Sequence, residues 1–429
     1  MSQTVPPSRK TDGQNRRRNS VSPGQPPKPR NEKREITNAD KIRLAQLSLT
    51  INPSKGRFWK LSEIAESEGR SISVVSRAIS SAFRERLVRV EVIKITDPKR
   101  NVMLEHRIRE RFPRAVHLNL RNIRVIDCSD ELHGTNDLDP RYGDIVHRCL
   151  GQALAKEFAV DGIWDQPNKT VGLGSGRSVF YTIEALNKYP KLNWGNSTLV
   201  SLSGQVDARD HSGEIGSNLD ADFHVNLLAL RLSNAGNART QTIQVGKSIT
   251  DFEGQFTSTS IWNQWQTHRP KFAIVGVGTL VRGHRFFNAI DEKPKPVAIR
   301  SEILDKLADL IKICKSKTFT EIGFCPVGDI CNYLFYVPAP PGVISTAAET
   351  SIRTKINGIN ERLLTFSIPE FAKIENTIVL AGTAAKAAAV LELITGRDTT
   401  RAPISIDRLY IDAGAANAIL EMADAYPKT

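Results

Sequence analysis

The chain has 429 residues, of which 40% are hydrophobic and 24% charged, and its net charge is +13. This length and composition predict two or three domains with real cores and argue against a fibrous or fully disordered chain. No stretch approaches the roughly 20 apolar residues of a membrane helix. The basic N-terminus is not followed by the apolar run of a secretory signal. We therefore expect a cytoplasmic protein.

The five cysteines follow no recognisable metal or disulfide pattern. None belongs to a CxxC pair, and an odd number cannot all pair within one chain. Cys325 and Cys331 are near enough in sequence to be disulfide partners or metal ligands, but reduced, inert thiols are the favoured interpretation. The sequence predicts neither a metal site nor a cofactor.

The positive charge is concentrated at the front of the chain. Residues 1–35 carry nine Lys/Arg and three Asp/Glu, which leaves +6. Residues 36–100 carry thirteen Lys/Arg and seven Asp/Glu, which again leaves +6. The remainder of the chain, residues 101–429, is therefore close to neutral. A basic N-terminal part followed by a nearly neutral remainder is typical of a protein that binds a polyanion through its N-terminal part. A solvated basic tail explains the first +6 equally well, but the second lies in a segment with a folded pattern.

Residues 1–35 are predicted to be a disordered, basic, proline-rich tail. They contain six prolines and the run Arg16–Arg18, with almost no large apolar side chains. Such a segment cannot bury enough surface to offset its ordering entropy. It would add non-specific affinity for phosphates, and a nuclear signal is an alternative interpretation of the arginine run.

Residues 36–100 are predicted to form a winged helix-turn-helix domain. A helical apolar face runs from Ile42 to near Pro53, and a short second helix has Leu61 on its inner side. Gly69 supplies the turn before a third helix. A helical hairpin with a basic face also occurs in protein-binding modules, but the charge distribution and the wing pattern favour DNA.

The third helix has an apolar face opposite a small and basic one. Val75, Ile79 and Phe83 recur every four residues, and Ile72 precedes them at the start of the same apolar pattern. Ser73 is the expected N-cap. The alternating pattern that follows predicts the strand of a wing. The polar face would then enter the major groove. The expected base contacts are Ser73, Val74, Ser76 and Arg77, and the expected phosphate contacts are Lys60, Arg84 and Arg89.

From residue 101 onward, apolar strand patterns alternate with helical ones. This alternation predicts an α/β domain with a doubly wound parallel sheet that is buried on both faces. Ligands of such sheets bind beyond the carboxyl ends of the strands. Four strand patterns run into glycine turns there, at residues 170–178, 198–205, 272–279 and 377–383.

The first glycine turn matches neither GxGxxG nor a Walker A loop. It would still present backbone N–H groups to an anion at a helix start. Arg177 and Lys386 each lie near the start of a predicted helix, where a cation opposes the helix dipole unless an anion binds. Side chains that simply extend into water are the alternative. Gln205, Asp207 and Asp329 are candidates for binding ligand hydroxyl groups, or for ordinary turn and cap roles.

Together, these motifs resemble the SorC family of bacterial sugar-binding transcriptional regulators. The resemblance runs from about residue 40 to the C-terminus, through LSEIAESEGRSISVVSRAISSAFRERLVRVEV, VGLGSGRS, FAIVGVGT, GFCPVGDI, AGTAAKAAAVLELITG and ISIDRLYID. It implies that residues 101–429 form an effector domain related in fold to sugar-phosphate isomerases but without catalysis. It also implies double-stranded operator DNA as a partner, a phosphorylated sugar or polyol as effector, and a dimer or tetramer.

The resemblance assigns effector-binding residues to the glycine turns. These are Gly174, Ser175, Gly176, Arg177, Ser178, Gly276, Gly278, Gly328, Asp329, Gly382 and Lys386. Gly204 and Gln205 of the second turn are added as candidates from their position after a strand pattern. The family usually has a bulkier residue than Ser175, a threonine in place of Ser178, and adjacent glycines where Gly204 and Gln205 stand. Residues 207–222 also differ from its usual connection. These departures leave the identity of the ligand open.

Two other functions remain as alternatives. One is a sugar-phosphate isomerase-like enzyme with a fused DNA-binding module, in which Asp329, Lys386 and Asp207 would supply acid–base chemistry. The other is a DNA-binding architectural protein without a ligand. The sequence shows no acid–base set of characteristic spacing, and the large neutral domain argues against a purely architectural role. An effector-controlled regulator that is not an enzyme is therefore the prediction.

Overall fold

The chain divides into two compact units, residues 1–92 and 93–429. The predictions for the N-terminal tail, for residues 89–92 of the wing, for Arg89 and for Asp207 lie outside the described residues. The computed structural model describes residues 36–49, 51–52, 57–85, 87–88, 98–113, 122–129, 132, 140–160, 162–163, 166–186, 192, 194–206, 219–234, 240–246, 259–280, 301–398 and 404–424.

The described part of the smaller unit has three helices around a small apolar core. Its elements are α1 (Asn38–Leu49), β1 (Ile51–Asn52), β2 (Arg57–Phe58), α2 (Leu61–Ser67) and α3 (Ile72–Arg84), with β1 antiparallel to β2. Leu44, Ile64 and Val75, one from each helix, are fully buried in one cluster. Gly69 has φ +59° in the turn after α2, a left-handed conformation that costs glycine little. The predicted helices and this turn are confirmed.

Two details of the predicted helices were wrong. The N-cap of α3 is Ser71, so Ser73 lies within the helix. Leu61 and Ile72 were expected to face inward, but they are 40% and 52% exposed. Each is the first residue of its helix, and its side chain is tilted back toward the helix N-terminus, beyond the edge of the core.

The larger unit alternates strands and helices. Its described elements are β3 (Lys99–Arg100), α4 (Val102–Arg111), β4 (Ile123–Asp127), α5 (Pro140–Val160), β5 (Thr170–Leu173), α6 (Arg177–Ala185), β6 (Thr198–Ser201), α7 (Ala221–Asn234), β7 (Gln241–Ile243), α8 (Ser260–Thr267), β8 (Phe272–Thr279), α9 (Ser301–Cys314), α10 (Lys317–Thr320), β9 (Val327–Ile330), β10 (Tyr333–Tyr336), α11 (Thr346–Asn360), α12 (Ile368–Phe371), β11 (Asn376–Ala381), α13 (Ala387–Thr395), β12 (Arg408–Asp412) and α14 (Ala413–Asp424). A 3₁₀ turn, Ala384–Lys386, leads into α13.

The sheet of this unit is mostly parallel. Within the described residues, parallel strands follow the order β4-β12-β11-β8-β5-β6-β7. The end of β8 pairs antiparallel with β9, which pairs antiparallel with β10. At one edge β3 is antiparallel to β4, so Lys99 and Arg100 belong to the larger unit and not to the smaller one where the sequence placed them.

Both faces of the sheet are buried. In β8, Phe272 and Ile274 join the cluster that includes residues of α5, α6 and α7. Ala273 and Val275, which alternate with them, join the cluster that includes residues of α9, α13 and α14. Burying a side chain such as Ile274 or Val275 stabilises the fold by about 1.5–3 kcal/mol. The predicted α/β fold with a parallel sheet is confirmed, and no described helix is long and apolar enough to span a membrane.

The direction of strand addition reverses between β5 and β8. From β5 the sheet grows outward through β6 and β7, and from β8 it grows the other way through β11 and β12. Open α/β sheets bind ligands at such a reversal, beyond the carboxyl ends of the strands. The loop after β5 lies along this point, because the Gly174 N–H donates to the Ile274 carbonyl oxygen of β8 (2.9 Å).

Candidate functional site

Helix α3 presents a polar face to solvent. Ser73 and Arg77 are exposed, whereas Val74 and Ser76 are half-buried. Arg77 Nε donates to the Ser73 carbonyl oxygen (3.2 Å), which holds the guanidinium along the first turns of the helix. The other guanidinium N–H groups bond to no described residue. They can therefore donate to an external acceptor.

Two other predicted phosphate contacts are also exposed. Lys60 lies directly before α2, where its backbone N–H donates to Glu63 Oε2 (3.0 Å), and Arg84 ends α3. Neither basic side chain pairs with a carboxylate in the part of the chain that the structure describes. By contrast, Lys41 on α1 pairs with Glu85 (2.7 Å). The basic side chains without a carboxylate partner among the described residues therefore include Lys60, Arg77 and Arg84, which lie on α3 or directly before α2.

In the larger unit, the loop after β5 has a conformation that requires glycine. Gly176 is the N-cap of α6 and has φ +113°, so Arg177 is the first helical residue. A Cβ on Gly174 would lie 2.5 Å from the Cys331 sulfur, which leaves no room for a side chain there. The Gly174 carbonyl oxygen is 2.8 Å from His224 Nδ1, which donates to it. The loop is thus fixed on both sides.

The two-residue loop between β9 and β10 packs against the loop after β5. Cys331 and Asn332 both have positive φ (51° and 67°), as in the tight turns of two-residue hairpins. The Asn332 side-chain amide donates to Ser175 Oγ (3.2 Å) and Ser203 Oγ (3.4 Å). Its backbone N–H donates to Asp329 Oδ2 (3.1 Å). We call these buried residues, Ser175, Ser203, Asp329 and Asn332, the polar cluster.

Three side chains from distant parts of the sequence form a hydrogen-bonded chain. Lys386 ends the 3₁₀ turn after β11, His147 lies on α5, and Ser178 lies in the first turn of α6. Lys386 Nζ is 3.4 Å from His147 Nε2, and His147 Nδ1 is 2.8 Å from Ser178 Oγ. An ammonium group only donates, so Nε2 accepts and Nδ1–H donates to Ser178. We call this the Lys386 chain.

The charges of Lys386 and Arg177 act on the His147 ring of the Lys386 chain. Burial lowers the pKa of His147 well below its usual value, and the charges of Lys386 and Arg177 lower it further, so the ring is neutral at pH 7. Burial lowers the pKa of Lys386 to about 8, which Asp329 and Asp412 oppose and Arg177 reinforces. Neither Lys386 nor Arg177 forms an ion pair with a carboxylate among the described residues.

Asp412 holds the loop after β11. The Thr383 N–H donates to Asp412 Oδ1 (2.7 Å), and the Gly414 N–H donates to Oδ2 (2.9 Å). Burial raises the pKa of Asp412, while these backbone hydrogen bonds oppose the increase. Thr383 has φ 77°, which is strained for a β-branched residue. Strain of this kind is common in loops that bind ligands.

Gly382→Ala is expected to destabilise the protein by about 1–3 kcal/mol, the usual cost of overpacking a core. A Cβ at this position would lie 2.6 Å from Val146 Cγ1 and 3.0 Å from Leu150 Cδ1, both on α5. Chemical denaturation of the full chain measures the effect. Gly143→Ala is the matched control on α5, because its added Cβ meets nothing within 4 Å. Equal losses in the two variants would contradict the packing argument.

The structure brings together part of the predicted set. Ser178 and Lys386 contact His147, and the charge of Arg177, the residue before Ser178, acts on the same ring. Ser175 lies in the polar cluster with Asp329, whose charge acts on Lys386. Residues from the loop after β5, from the β9–β10 hairpin and from the 3₁₀ turn after β11 therefore share one region at the carboxyl end of the sheet.

Other predicted residues have different roles. Gly276 and Gly278 lie within β8 and not in a turn, because pairing with β9 extends this strand to Thr279. Gly328 lies within β9, where a Cβ would be 2.5 Å from Phe335 Cζ, so it is a packing glycine. The description of these glycines as turn residues was wrong.

Gly204 and Gln205, in the second predicted turn, have other partners. The Gly204 N–H donates to the Leu364 carbonyl oxygen (2.7 Å), and Gln205 Nε2 donates to Asp222 Oδ2 (3.4 Å). Neither residue has a hydrogen bond with Lys386 in the described structure.

The sequence reasoning missed His147, Asn332 and Asp412. Asn332 follows a strand pattern and favours tight turns, so its position was a usable signal. Asp412 is the last residue of β12, which was equally visible as a polar residue at a strand end. His147 lies inside α5, and nothing in its local sequence marks it.

Neither a protein-family model nor a curated protein sequence matches this chain. Several solved structures are similar to it at low identity. The full-length sorbitol operon regulator SorC from Klebsiella pneumoniae shares 16% identity with a TM-score of 0.44, over 89% of this chain and 99% of that one. A transcriptional regulator from Streptococcus pneumoniae TIGR4 shares 12% (TM-score 0.47; 75% of this chain and 97% of that one).

A DeoR family transcriptional regulator from Listeria monocytogenes shares 15% identity with a TM-score of 0.42, over 74% of this chain and 98% of that one. Similarity at this level carries no argument about function.

Proposed function

We propose that this chain is a transcriptional regulator of the SorC type and not an enzyme. The smaller unit binds double-stranded DNA as a winged helix-turn-helix, and the larger unit binds a phosphorylated sugar or polyol that controls DNA binding. One observation carries the proposal. Arg177 and Lys386 come from two different strand–helix junctions beside the strand-order reversal, the charges of both act on His147, and neither has a contacting carboxylate among the described residues.

An anion is the ligand group that fits these cations. Burial makes the charged form of Lys386 costly, as its lowered pKa shows. A bound phosphate would offset that cost and would accept charge-assisted hydrogen bonds from the ammonium and guanidinium groups. The start of α6, where Arg177 stands, adds backbone N–H groups and the positive end of the helix dipole.

The polar cluster fits the hydroxylated part of such a ligand. Asp329 provides a carboxylate acceptor, and Asn332 provides its amide oxygen, since its two amide N–H groups already donate to Ser175 and Ser203. The two serines provide hydroxyl groups that can donate. A sugar or polyol carries alternating hydroxyl donors and acceptors, which such a set can bind. The electrostatic effect of Asp329 on Lys386 supports one site in which the phosphate and hydroxyl groups of a single ligand are bound.

The titratable side chains of this region favour binding over isomerase chemistry. Both oxygens of Asp412 accept backbone N–H groups, and both nitrogens of His147 are engaged in the Lys386 chain. Asp329 accepts the Asn332 N–H. A general base must be free to take a substrate proton. These groups instead hold the loops in place, so the isomerase-like alternative is disfavoured.

The DNA-binding part of the proposal rests on α3. Its exposed Arg77 and Arg84, with Lys60 beside α2, give the smaller unit a cationic face suited to a groove and its flanking phosphates. The basic residues 1–35 would add phosphate affinity. We propose that the protein acts as a dimer or tetramer. Ligand binding would then favour one arrangement of the oligomer and change its operator affinity.

The decisive experiment uses the full chain. A DNA site is first selected from a random library, and phosphorylated and free sugars and polyols are then screened by thermal shift. A ligand at 100 times its Kd adds about 2.7 kcal/mol of stability. The expected result is a phosphorylated compound that stabilises the protein and changes its affinity for the selected DNA. Failure to select any DNA sequence contradicts the regulator, and stabilisation by free sugars alone contradicts the phosphate site.

The affinity for the phosphorylated ligand is expected to fall as the pH rises through 8. Lys386 has a pKa of about 8, so below this pH it carries the charge that attracts the ligand, and above it the amine is neutral. The fall should be up to about tenfold per pH unit, since each tenfold loss of ammonium lowers affinity equally. Calorimetric titration of the wild type from pH 6.5 to 9.5 measures it.

Lys386→Arg is the control for this pH dependence. Its guanidinium stays protonated across the range, so any binding that it retains should be constant where the wild type declines. Below about pH 6, protonation of the ligand phosphate weakens binding in both proteins. A flat wild-type profile up to pH 9.5 would remove Lys386 from the site.

A further inference from the structure

His147 occupies a central position that the proposed function does not yet use. It is buried on α5 and contacts residues from two different loops of the site. Its neighbours Val146 and Leu150 pack against Gly382, whose missing side chain lets α5 approach the loop that carries Lys386. The imidazole is therefore fixed by packing as well as by hydrogen bonds.

The direction of the hydrogen bonds follows from the charges around the ring. Burial, reinforced by the charges of Lys386 and Arg177, keeps the imidazole neutral, and the Lys386 ammonium can only donate. Nε2 must then accept, and Nδ1 must carry the proton that it donates to Ser178 Oγ. A protonated ring would donate from both nitrogens and would lose the acceptor that orients Lys386.

This arrangement determines what Ser178 can do. One lone pair of its hydroxyl oxygen is occupied by the His147 N–H, so the hydroxyl proton must point elsewhere. That proton has no acceptor among the residues the structure describes, although Ser178 is buried. A buried donor without an acceptor is unfavourable until a partner arrives.

We propose that His147 is a positioning residue of the ligand site, which aligns the Lys386 ammonium and turns the Ser178 hydroxyl into a donor toward an anionic oxygen of the ligand. The inference rests on the proposed function, because the ligand supplies the missing acceptor. The same arrangement would make the site selective for a phosphate group. Lys386, Ser178 and Arg177 all present donors, so a phosphate group, which only accepts, is favoured over a sugar hydroxyl.

The test compares one phosphorylated sugar that binds the wild-type full chain with its dephosphorylated counterpart. In His147→Leu, affinity for the phosphorylated compound should fall at least tenfold, and affinity for the dephosphorylated one less than threefold. Ser178→Ala should cost about tenfold in the wild type but less than twofold in the His147→Leu background. That non-additivity is expected when one residue acts through another.

Thr182→Val is the matched control. The Thr182 hydroxyl donates to the Ser178 carbonyl oxygen (2.8 Å) in the same turn of α6, but it has no link to Lys386. Its loss should leave the ratio of the two affinities unchanged. His147→Asn, which keeps an N–H donor near the Nδ1 position, should restore part of the affinity for the phosphorylated compound. If His147→Leu does not fold, the comparison with Ser178→Ala is made with His147→Phe.

The outcomes distinguish failure of the positioning role of His147 from failure of the proposed ligand class. Equal losses for both compounds, or additive effects of His147 and Ser178, would overturn the positioning role while leaving the ligand site in place. A wild-type protein that binds no phosphorylated compound would overturn the proposed ligand class, and the positioning role with it.

Discussion

Lys386→Met is expected to weaken binding of a phosphorylated ligand roughly 100-fold, or about 2.7 kcal/mol, without changing the affinity for DNA. The variant keeps the aliphatic length of the side chain but removes the charge that approaches His147 from the loop after β11. Hydrogen bonds to charged groups contribute about 1.5–3 kcal/mol, so the loss of one should produce an effect of this size. Calorimetric titration measures the ligand, and fluorescence anisotropy measures the DNA.

The stability of the empty protein distinguishes this effect from misfolding. Burial lowers the pKa of Lys386, which means that its charged form is disfavoured in the folded chain. Removing the charge should therefore leave the melting temperature of the empty protein unchanged or raise it. Lys317→Met is the control, because Lys317 is an exposed lysine of the same unit. A clear loss of stability in Lys386→Met, or ligand binding like that of the wild type, would show that Lys386 has another role.

The parallel strands were predictable because their physical cause is local. A strand buried on both faces must be apolar along its whole length, and β8 shows this pattern from Phe272 to Val275. The end of the same strand was not predictable. Gly276 and Gly278 have the composition of a turn, but pairing with β9, about 50 residues later in the chain, holds them in a strand. A local pattern cannot reveal such a partner.

The same limit applies to the site. Arg177 and Lys386 were recognisable because each stands where a strand pattern gives way to a helix through glycines. His147 was not, because its role depends on a contact with Lys386, which is 239 residues away. Within its helix it is one polar residue among several. Only the packing of α5 against the loop after β11 makes it part of the site.

Arg77→Ala is expected to weaken binding to the selected DNA site by about 1–3 kcal/mol, which is roughly 10- to 100-fold. Arg77 is exposed on α3, and its hydrogen bond to the Ser73 carbonyl oxygen leaves other guanidinium N–H groups for a base edge. A bidentate contact to guanine is the commonest specific use of arginine in the major groove. Anisotropy titrations against the selected site and its single-base variants measure both the affinity and the discrimination.

Two control variants separate base contacts from general electrostatics. Arg107→Ala removes the same charge from an exposed position on α4 of the larger unit, so it should have little effect. Arg84→Ala should weaken binding to all sequences alike and reduce the dependence of affinity on salt, because a phosphate contact releases about one counterion. Arg77→Ala should instead reduce the discrimination between the selected site and its variants. If it weakens all sequences equally, Arg77 contacts the DNA backbone and the bases are bound by other residues of α3.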